Sequence, residues 1–448
     1  MQHITIQNFG PIRYIDIDLD KELEVIIGPQ ASGKSTFSKA VFFCKKIRDY
    51  FMQYLDGIMG LEFRYNNELY VKFLKFIRRP FMGYFGTTKH MAPFTIKYYY
   101  EKERGRFVTI SLDDDHYAKF EFSDRMREAI CDMIRQVVMV SNQSKDASFA
   151  QSFLNQRSML EKMKAPVNAI FGDEDMLVYV PAGRNLLAII PDAFGKKTGY
   201  VQNDVDIELE IDISQIDLIT QEFIQYIRDM RADFGSKLEE MTQNYLKTVK
   251  GQIKNHDVET ACRLIRKILR ADYICDKDGE KLFYDDEHWV KLMFGSSGQQ
   301  EIVWGLNIIF WAILKNEKTF LVFEEPESHL FPDSQEVIAE LVALMIHSSK
   351  SQVIITTHSP YMLMAVNLLL YSGKEERHNE NVVVQKELRL QPGSVGSYFL
   401  SNETGSLKNI VGKKKGLIDA LAIDGISESI NERMDRILEN SFRNRGTL

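Results

Sequence analysis

Gly28, Pro29, Gln30, Ala31, Ser32, Gly33, Lys34, Ser35 and Thr36 spell the pattern G-x-x-x-x-G-K-[ST]. The pattern stands between a buried apolar strand, Leu23–Ile27, and a helical run starting near Lys34. In that context its backbone N–H groups curl around a phosphate, and the helix N-terminus adds a favourable dipole. Lys34 is then expected to reach the β- and γ-phosphates, and the Ser35 hydroxyl to ligate Mg²⁺.

A second string, Thr319–Phe323 followed by Glu324, Glu325 and Glu327, is an apolar strand ending in carboxylates. A parallel strand buried on both faces is apolar throughout, and acids at its C-terminal end lie where open α/β sheets bind ligands. Glu324 is expected to hold Mg²⁺ through water and Glu325 to polarise the attacking water. Glu327 has no clear task, and a solvated acidic loop is the plain alternative for the string. Ser296, Ser297, Gly298, Gln299 and Gln300 open a strong helical run, with Gly298 lying 26 residues before Glu324 (324 − 298). Small residues with free N–H groups at a helix start make a second anion site, although such a string is often only an N-cap. His358 ends another apolar strand, where an imidazole can sense or bridge a γ-phosphate.

These residues need a frame, and the chain of 448 residues is long enough to supply one. With 44% hydrophobic and 27% charged residues, it has the balance of a globular protein able to bury a large core. The net charge of −7 excludes a chain coated in positive charge, so nucleic-acid contact requires a local patch. Arg78-Arg79 and Lys413–Lys415 are the short basic runs to consider, and both read equally as solvated loops. Cys44, Cys131, Cys262 and Cys275 form no C-x-x-C pair, which indicates neither a zinc ribbon nor a disulfide framework. The N-terminus reads as a strand, and no apolar stretch approaches the roughly 20 residues of a membrane span. A cytoplasmic protein is expected.

Alternation predicts strands at His3–Asn8, Tyr14–Leu19 and Leu23–Ile27, and a three-stranded meander across Thr95–Phe122. Helical spacing is expected over Lys34–Tyr50, Asp124–Val140, Ile216–Lys254 and Thr260–Leu269. Met176–Gly183 reads as a short strand running into Pro181. After Gly298 come a helix to about Lys315, the strand Thr319–Phe323, a helix from Ser334 to about His347 and the strand Gln352–Thr356. The tail Ser406–Leu448 reads as mostly polar helix. The expected layout is an α/β core with a mostly parallel sheet, an antiparallel meander and a helical insertion. Residues 1–122 would form an N-terminal lobe, 123–275 a largely helical insertion contributing one core strand, and 276–448 a C-terminal lobe.

In this order the four strings resemble the ATP-binding-cassette ATPases, a P-loop NTPase class. The likeness points to the soluble branch that includes RecF, the SMC proteins and the overcoming-lysogenisation (OLD) family. The opening Ile-x-Asn-Phe-Gly-Pro-Ile and Glu-Glu-Pro-Glu-Ser-His-Leu-Phe-Pro resemble that branch too. The resemblance implies ATP and Mg²⁺, with Lys34 and Ser35 as Walker A, Glu324 and Glu325 as Walker B with catalytic base, Ser296–Gln300 as signature and His358 as switch histidine. Glu324 replaces the aspartate of most cassette ATPases, as is usual in OLD-like members. Ser-Ser-Gly-Gln-Gln departs from the Leu-Ser-Gly-Gly-Gln of membrane transporters and argues against a transporter subunit. Val180-Pro-Ala-Gly-Arg184 resembles a Pro-Ala-x-Arg string of the OLD-like branch. Arg184 then either faces the nucleotide or is an ordinary surface arginine.

The span from Lys34 to Ser296, 262 positions (296 − 34), mixes strands with short helices, and Ile216–Lys254 would reach at most ~60 Å as one helix. Gly235 weakens it, and no heptad is sustained, so a long coiled-coil arm is not expected. The 88 residues after Pro360 hold no Asp-x-Asp, so no nuclease of the OLD kind is expected either. The expectation is an ATPase that closes around ATP between two copies of itself. The likeness implies a sensor or regulator of a separately encoded effector, a nuclease or toxin, in anti-phage systems of the Septu or PARIS kind. A RecF-like repair ATPase that binds DNA directly is the alternative.

Overall fold

The computed structural model describes residues 1–59, 67–143, 149–184, 216–248, 255–374, 383–412, 416–419 and 434. The chain opens with β1 (His3–Phe9) and β2 (Ile12–Asp18), an antiparallel pair whose turn uses Gly10 at φ 56°. The buried strand β3 (Leu23–Ile27) leads into α1 (Lys34–Ile58) and α2 (Asn67–Phe85). The strands β4 (Thr95–Glu101), β5 (Arg106–Leu112) and β6 (Ala118–Phe122) follow as an antiparallel meander. Next come α3 (Asp124–Gln143), α4 (Phe149–Phe171) and β7 (Met176–Val180). The middle of the chain supplies α5 (Leu218–Arg231), α6 (Leu238–Thr248) and α7 (Asn255–Leu269). A small antiparallel sheet then forms from β8 (Asp272–Asp276), β9 (Gly279–Phe283) and β10 (Trp289–Lys291). The rest comprises α8 (Ser297–Lys315), β11 (Thr319–Glu324), α9 (Pro332–Ser349), β12 (Gln352–Thr357), α10 (Pro360–Lys374), β13 (Val395–Leu400) and β14 (Leu407–Asn409).

The central sheet runs β14-β13-β3-β12-β11-β7, and every neighbouring pair is parallel except β13 with β14. This is the mostly parallel α/β sheet of a P-loop NTPase. Its strands are apolar because both faces are covered. Side chains alternate across them with period 2. Thus Val25, Leu321, Phe323 and Ile355 join one core with α8, α9 and α10. Ile26, Phe320, Val322 and Ile354 join the other, with α1 and the antiparallel sheet. That second sheet has five strands in the order β2-β1-β4-β5-β6, so the N-terminal hairpin and the meander are one layer, joined through β1 and β4.

Several expectations are corrected. The stretch expected as one helix from Ile216 contains α5 and α6, broken across residues 232–237, where Gly235 lies; residues 249–254 fall outside the described ones. The tail from Ser406 is not helical where it begins: β14 pairs with β13 at the edge of the core sheet, and most of the rest, with Lys413–Lys415, lies outside the described residues. The helices α2 and α4, which the expected elements do not include, carry Pro80 and Pro166 in their interiors. Among the described residues no helix is long and apolar enough to cross a membrane.

Candidate nucleotide site

The loops after β3, β7, β11, β12 and β13 all leave the carboxyl edge of the sheet, where such sheets bind ligands. Residues Gly28–Gly33 form the first of them. Ala31 at φ 60° and Gly33 at φ 104° turn the backbone through left-handed geometry, which lets successive N–H groups face one concavity. Gly28 is required by close approach, since a Cβ there would collide with the Leu400 carbonyl oxygen at the end of β13. Asn402 Nδ2 also donates to Gln30 O at 3.1 Å, so β13 braces the loop from outside. Pro29 and Gln30 are exposed, while Ser32 is buried and its hydroxyl has no hydrogen-bond partner.

Lys34 is 5% exposed, and its Nζ donates to Gly28 O and Pro29 O, both at 2.9 Å. Burial lowers its pKa, against the opposing fields of Glu325, Glu327 and Glu324. The ammonium is thus bonded to the loop and lies in the field of three carboxylates of the β11 string. Ser35 and Thr36 begin α1, with the Ser35 side chain exposed.

Glu324, at the end of β11, is 4% exposed and held at both oxygens: Tyr179 Oη donates to Oε1 at 2.8 Å and Ala182 N to Oε2 at 3.0 Å. The Tyr179 oxygen also lies 3.0 Å from Ser38 Oγ, which is within reach of Ser35 O as well. Ser38 has one proton for either Ser35 O or the Tyr179 oxygen, and when it serves Tyr179 a chain of bonds runs from Ser38 through Tyr179 to Glu324. Burial and the Glu324 charge push the Tyr179 hydroxyl well above its usual range, so it stays a donor.

Glu325 has φ 43°, uncommon for a residue with a side chain, and its N–H donates to Thr356 O at 2.9 Å. Its Oε1 lies 3.3 Å from His358 Nε2, and Ser328 Oγ donates to Oε2 at 3.4 Å. The His358 hydrogen bond, opposed by burial and aided by the His358 and Lys34 charges, lowers the Glu325 pKa. Glu327 accepts from Thr357 Oγ1 at 2.5 Å and from His358 N at 2.9 Å. Its task is now visible, since it fastens the turn after β11 to the turn after β12. Glu325 and His358 are thereby aligned.

Ser296–Gln299 stand at the start of α8. Ser296 is the N-cap, and a capping box links its side chain and N–H to Gln299. Gln299 Nε2 donates to Leu269 O at 2.7 Å, so this side chain is committed to the helix start. Ser296 and Ser297 are exposed and Gly298 is buried; a Cβ on Gly298 would lie 2.7 Å from His329 O. The turn at Ser296–Gly298 is therefore packed directly on the turn that follows Glu325–Glu327. Arg184 is fully buried rather than a surface residue, and its guanidinium contacts backbone carbonyls of this same region. Sequence reasoning missed Tyr179, Ser38, Thr357 and Asn402. Each is a single polar group in an otherwise ordinary segment, with no spacing to mark it.

Residues 1–363 match the family model described as AAA ATPase domain. The chain belongs to the AAA ATPase domain family. Over 67 residues it is 28% identical to the DNA replication and repair protein RecF of Lactobacillus acidophilus, a match covering 15% of this chain and 18% of that protein. Its fold is similar to an Smc head bound to the C-terminal winged-helix domain of ScpA, at 12% identity and TM-score 0.42, covering 92% of this chain and 98% of that one. It is also similar to a Pyrococcus furiosus structure of an Smc head with an extended coiled coil bound to the C-terminal domain of ScpA. That likeness has 14% identity and TM-score 0.39, covering 96% of this chain and all of that one. The loop Gly28–Thr36 is the candidate phosphate site. The unpartnered Ser32 hydroxyl and the Lys34 ammonium fit a phosphate, and the Ser35 hydroxyl and Glu324 carboxylate are oxygen donors of the kind Mg²⁺ takes.

Proposed function

We propose that this chain hydrolyses Mg-ATP, with Glu325 as general base. The observation that carries the proposal is the Glu325–His358 pair, held by Glu327 and Thr356 over the same carboxyl edge as Lys34. A lowered pKa keeps Glu325 ionised near neutral pH, the form a base needs to accept a proton from water. His358, with Nε2 3.3 Å from Glu325 Oε1, is placed to share the proton that Glu325 accepts. Lys34 would exchange its two loop carbonyls for phosphate oxygens, and Ser35 directly and Glu324 through water would hold Mg²⁺, which would supply positive charge at the phosphates. Ser297, exposed at the start of α8, and Gly298 beside it are the residues proposed to close over ATP held at Lys34 of a second copy, in an ATP-sandwiched dimer.

We further infer that ATP closure regulates a separately encoded protein effector, a nuclease or toxin, in antiviral defence. This rests on the likeness of the motifs to OLD-type ATPases. The meander β4, β5 and β6 with α3, α5, α6 and α7 is the surface proposed to hold or release the effector. Affinity capture from native cells with Glu325→Gln tests this. A stoichiometric protein released by nucleotide removal supports it. Capture of none, with ATP-dependent binding to bare DNA ends, favours the repair reading.

A further inference from the structure

The Arg184 side chain lies at the crossing of three functional segments. Its Nε donates to Glu301 O (3.0 Å) in the first turns of α8, four residues after Ser297. Nη1 donates to Pro181 O (2.7 Å), after β7, and to Glu324 O (2.6 Å), at the end of β11. Nη2 donates to Glu325 O (3.1 Å). All four acceptors are backbone carbonyls, so the guanidinium fixes main-chain positions and binds no carboxylate oxygen. A planar fork of five donors is the side chain suited to this, and a lysine cannot span the same set.

Two features give the arrangement a direction. Glu325 is held in left-handed backbone geometry at φ 43°, a conformation that persists only where the surroundings fix it. Its N–H is fixed by Thr356 and its carbonyl by Arg184. At the other end, the Glu301 carboxylate is 2% exposed, has an oxygen with no hydrogen-bond partner, and lies 3.5 Å from His329 in the turn after Glu325. Burial lowers the Arg184 pKa to about 10, with Glu301 the largest opposing field, so the arginine stays charged at neutral pH.

We propose that Arg184 is a positioning residue that transmits the seating of the signature helix α8 to the peptide carrying Glu325. Its bonds reach the base through one guanidinium, with no intervening side chain. When α8 engages nucleotide, a shift of the Glu301 carbonyl is felt directly at the Glu325 carbonyl, which sets where the carboxylate points. Turnover should therefore depend on Arg184 far more than nucleotide binding does. The inference rests on the ATPase reading above.

The test is steady-state ATP hydrolysis by the full chain as wild type and Arg184→Lys, with melting temperatures measured alongside. Misplacing a catalytic group by about 1 Å costs on the order of 100-fold in rate. We expect kcat to fall about 10- to 100-fold with KM within about threefold of wild type. A folded variant with wild-type kcat overturns the inference, as does a loss confined to KM. If Arg184→Lys does not fold, Glu301→Gln serves, because it keeps every backbone acceptor and removes the carboxylate charge that faces both the guanidinium and His329. A kcat lowered severalfold at unchanged KM supports the inference, and an unchanged kcat overturns it. If the wild type itself does not hydrolyse ATP, the ATPase reading falls and this inference with it. An active wild type beside an unaffected variant removes this inference alone.

Discussion

Replacing Tyr179 with phenylalanine removes one oxygen and tests whether Glu324 serves Mg²⁺. The hydroxyl donates to Glu324 Oε1 at 2.8 Å and meets Ser38 Oγ at 3.0 Å, in a site closed to solvent. Without it Glu324 keeps only the Ala182 N–H bond, and its carboxylate is free to turn about that single contact. A hydrogen bond to a charged acceptor contributes about 1.5–3 kcal/mol. Loss of a group that orients a metal ligand costs about 10- to 100-fold in metal affinity, which agrees with that range at about 1.4 kcal/mol per tenfold. ATP turnover measured against free Mg²⁺ should therefore show the half-saturating concentration raised by about that factor. At saturating Mg²⁺ the rate should return to within about threefold of wild type, because Glu325 and His358 are untouched. Ser38→Ala, which leaves the Tyr179–Glu324 bond in place, should have a smaller effect. An unchanged Mg²⁺ dependence in a folded Tyr179→Phe protein would refute the assignment of Glu324 to the metal.

Gly28→Ala should abolish tight ATP binding, measured by labelled-nucleotide titration, and lower the melting temperature, since the added methyl strikes the Leu400 carbonyl oxygen. A Lys34→Ala subunit and a Ser297→Arg subunit should each be inactive alone and recover activity when mixed, because a mixed dimer restores one intact site. Glu24, buried in β3, is raised from 4.5 to about 8 by burial, so the folded protein retains a proton that the unfolded chain has released across that window. Stability should accordingly fall as pH rises from about 4.5 to about 8, by at most ~5 kcal/mol, and urea titrations of Glu24→Gln should lose this slope.

How much of this was legible beforehand divides along physical lines. Leu23–Ile27 and Thr319–Glu324 announced themselves because strands buried on both faces must be apolar, and a phosphate loop needs its glycines at fixed intervals. Alternation likewise marked β4, β5 and β6. The strand β13 was not visible: Val395–Leu400 includes Gly396 and Ser397, small polar-compatible residues that pass for a turn. Gly396 is needed there because the Glu24 carboxylate occupies the space a Cβ would take, a constraint set by a residue 372 positions away (396 − 24). Arg184 illustrates the same limit. Its residue type allowed a nucleotide contact or a surface charge, and only the folded chain reveals four carbonyls converging on it.

The central claim is that Glu325 is the base and Lys34 the phosphate ligand of one ATPase site. The most direct measurement compares ATP binding and single-turnover hydrolysis in wild type and Glu325→Gln. The account predicts unchanged affinity and hydrolysis slowed about 100- to 10,000-fold, the range that removal of a general base produces. Hydrolysis at the wild-type rate by Glu325→Gln, with ATP bound equally well, would contradict it.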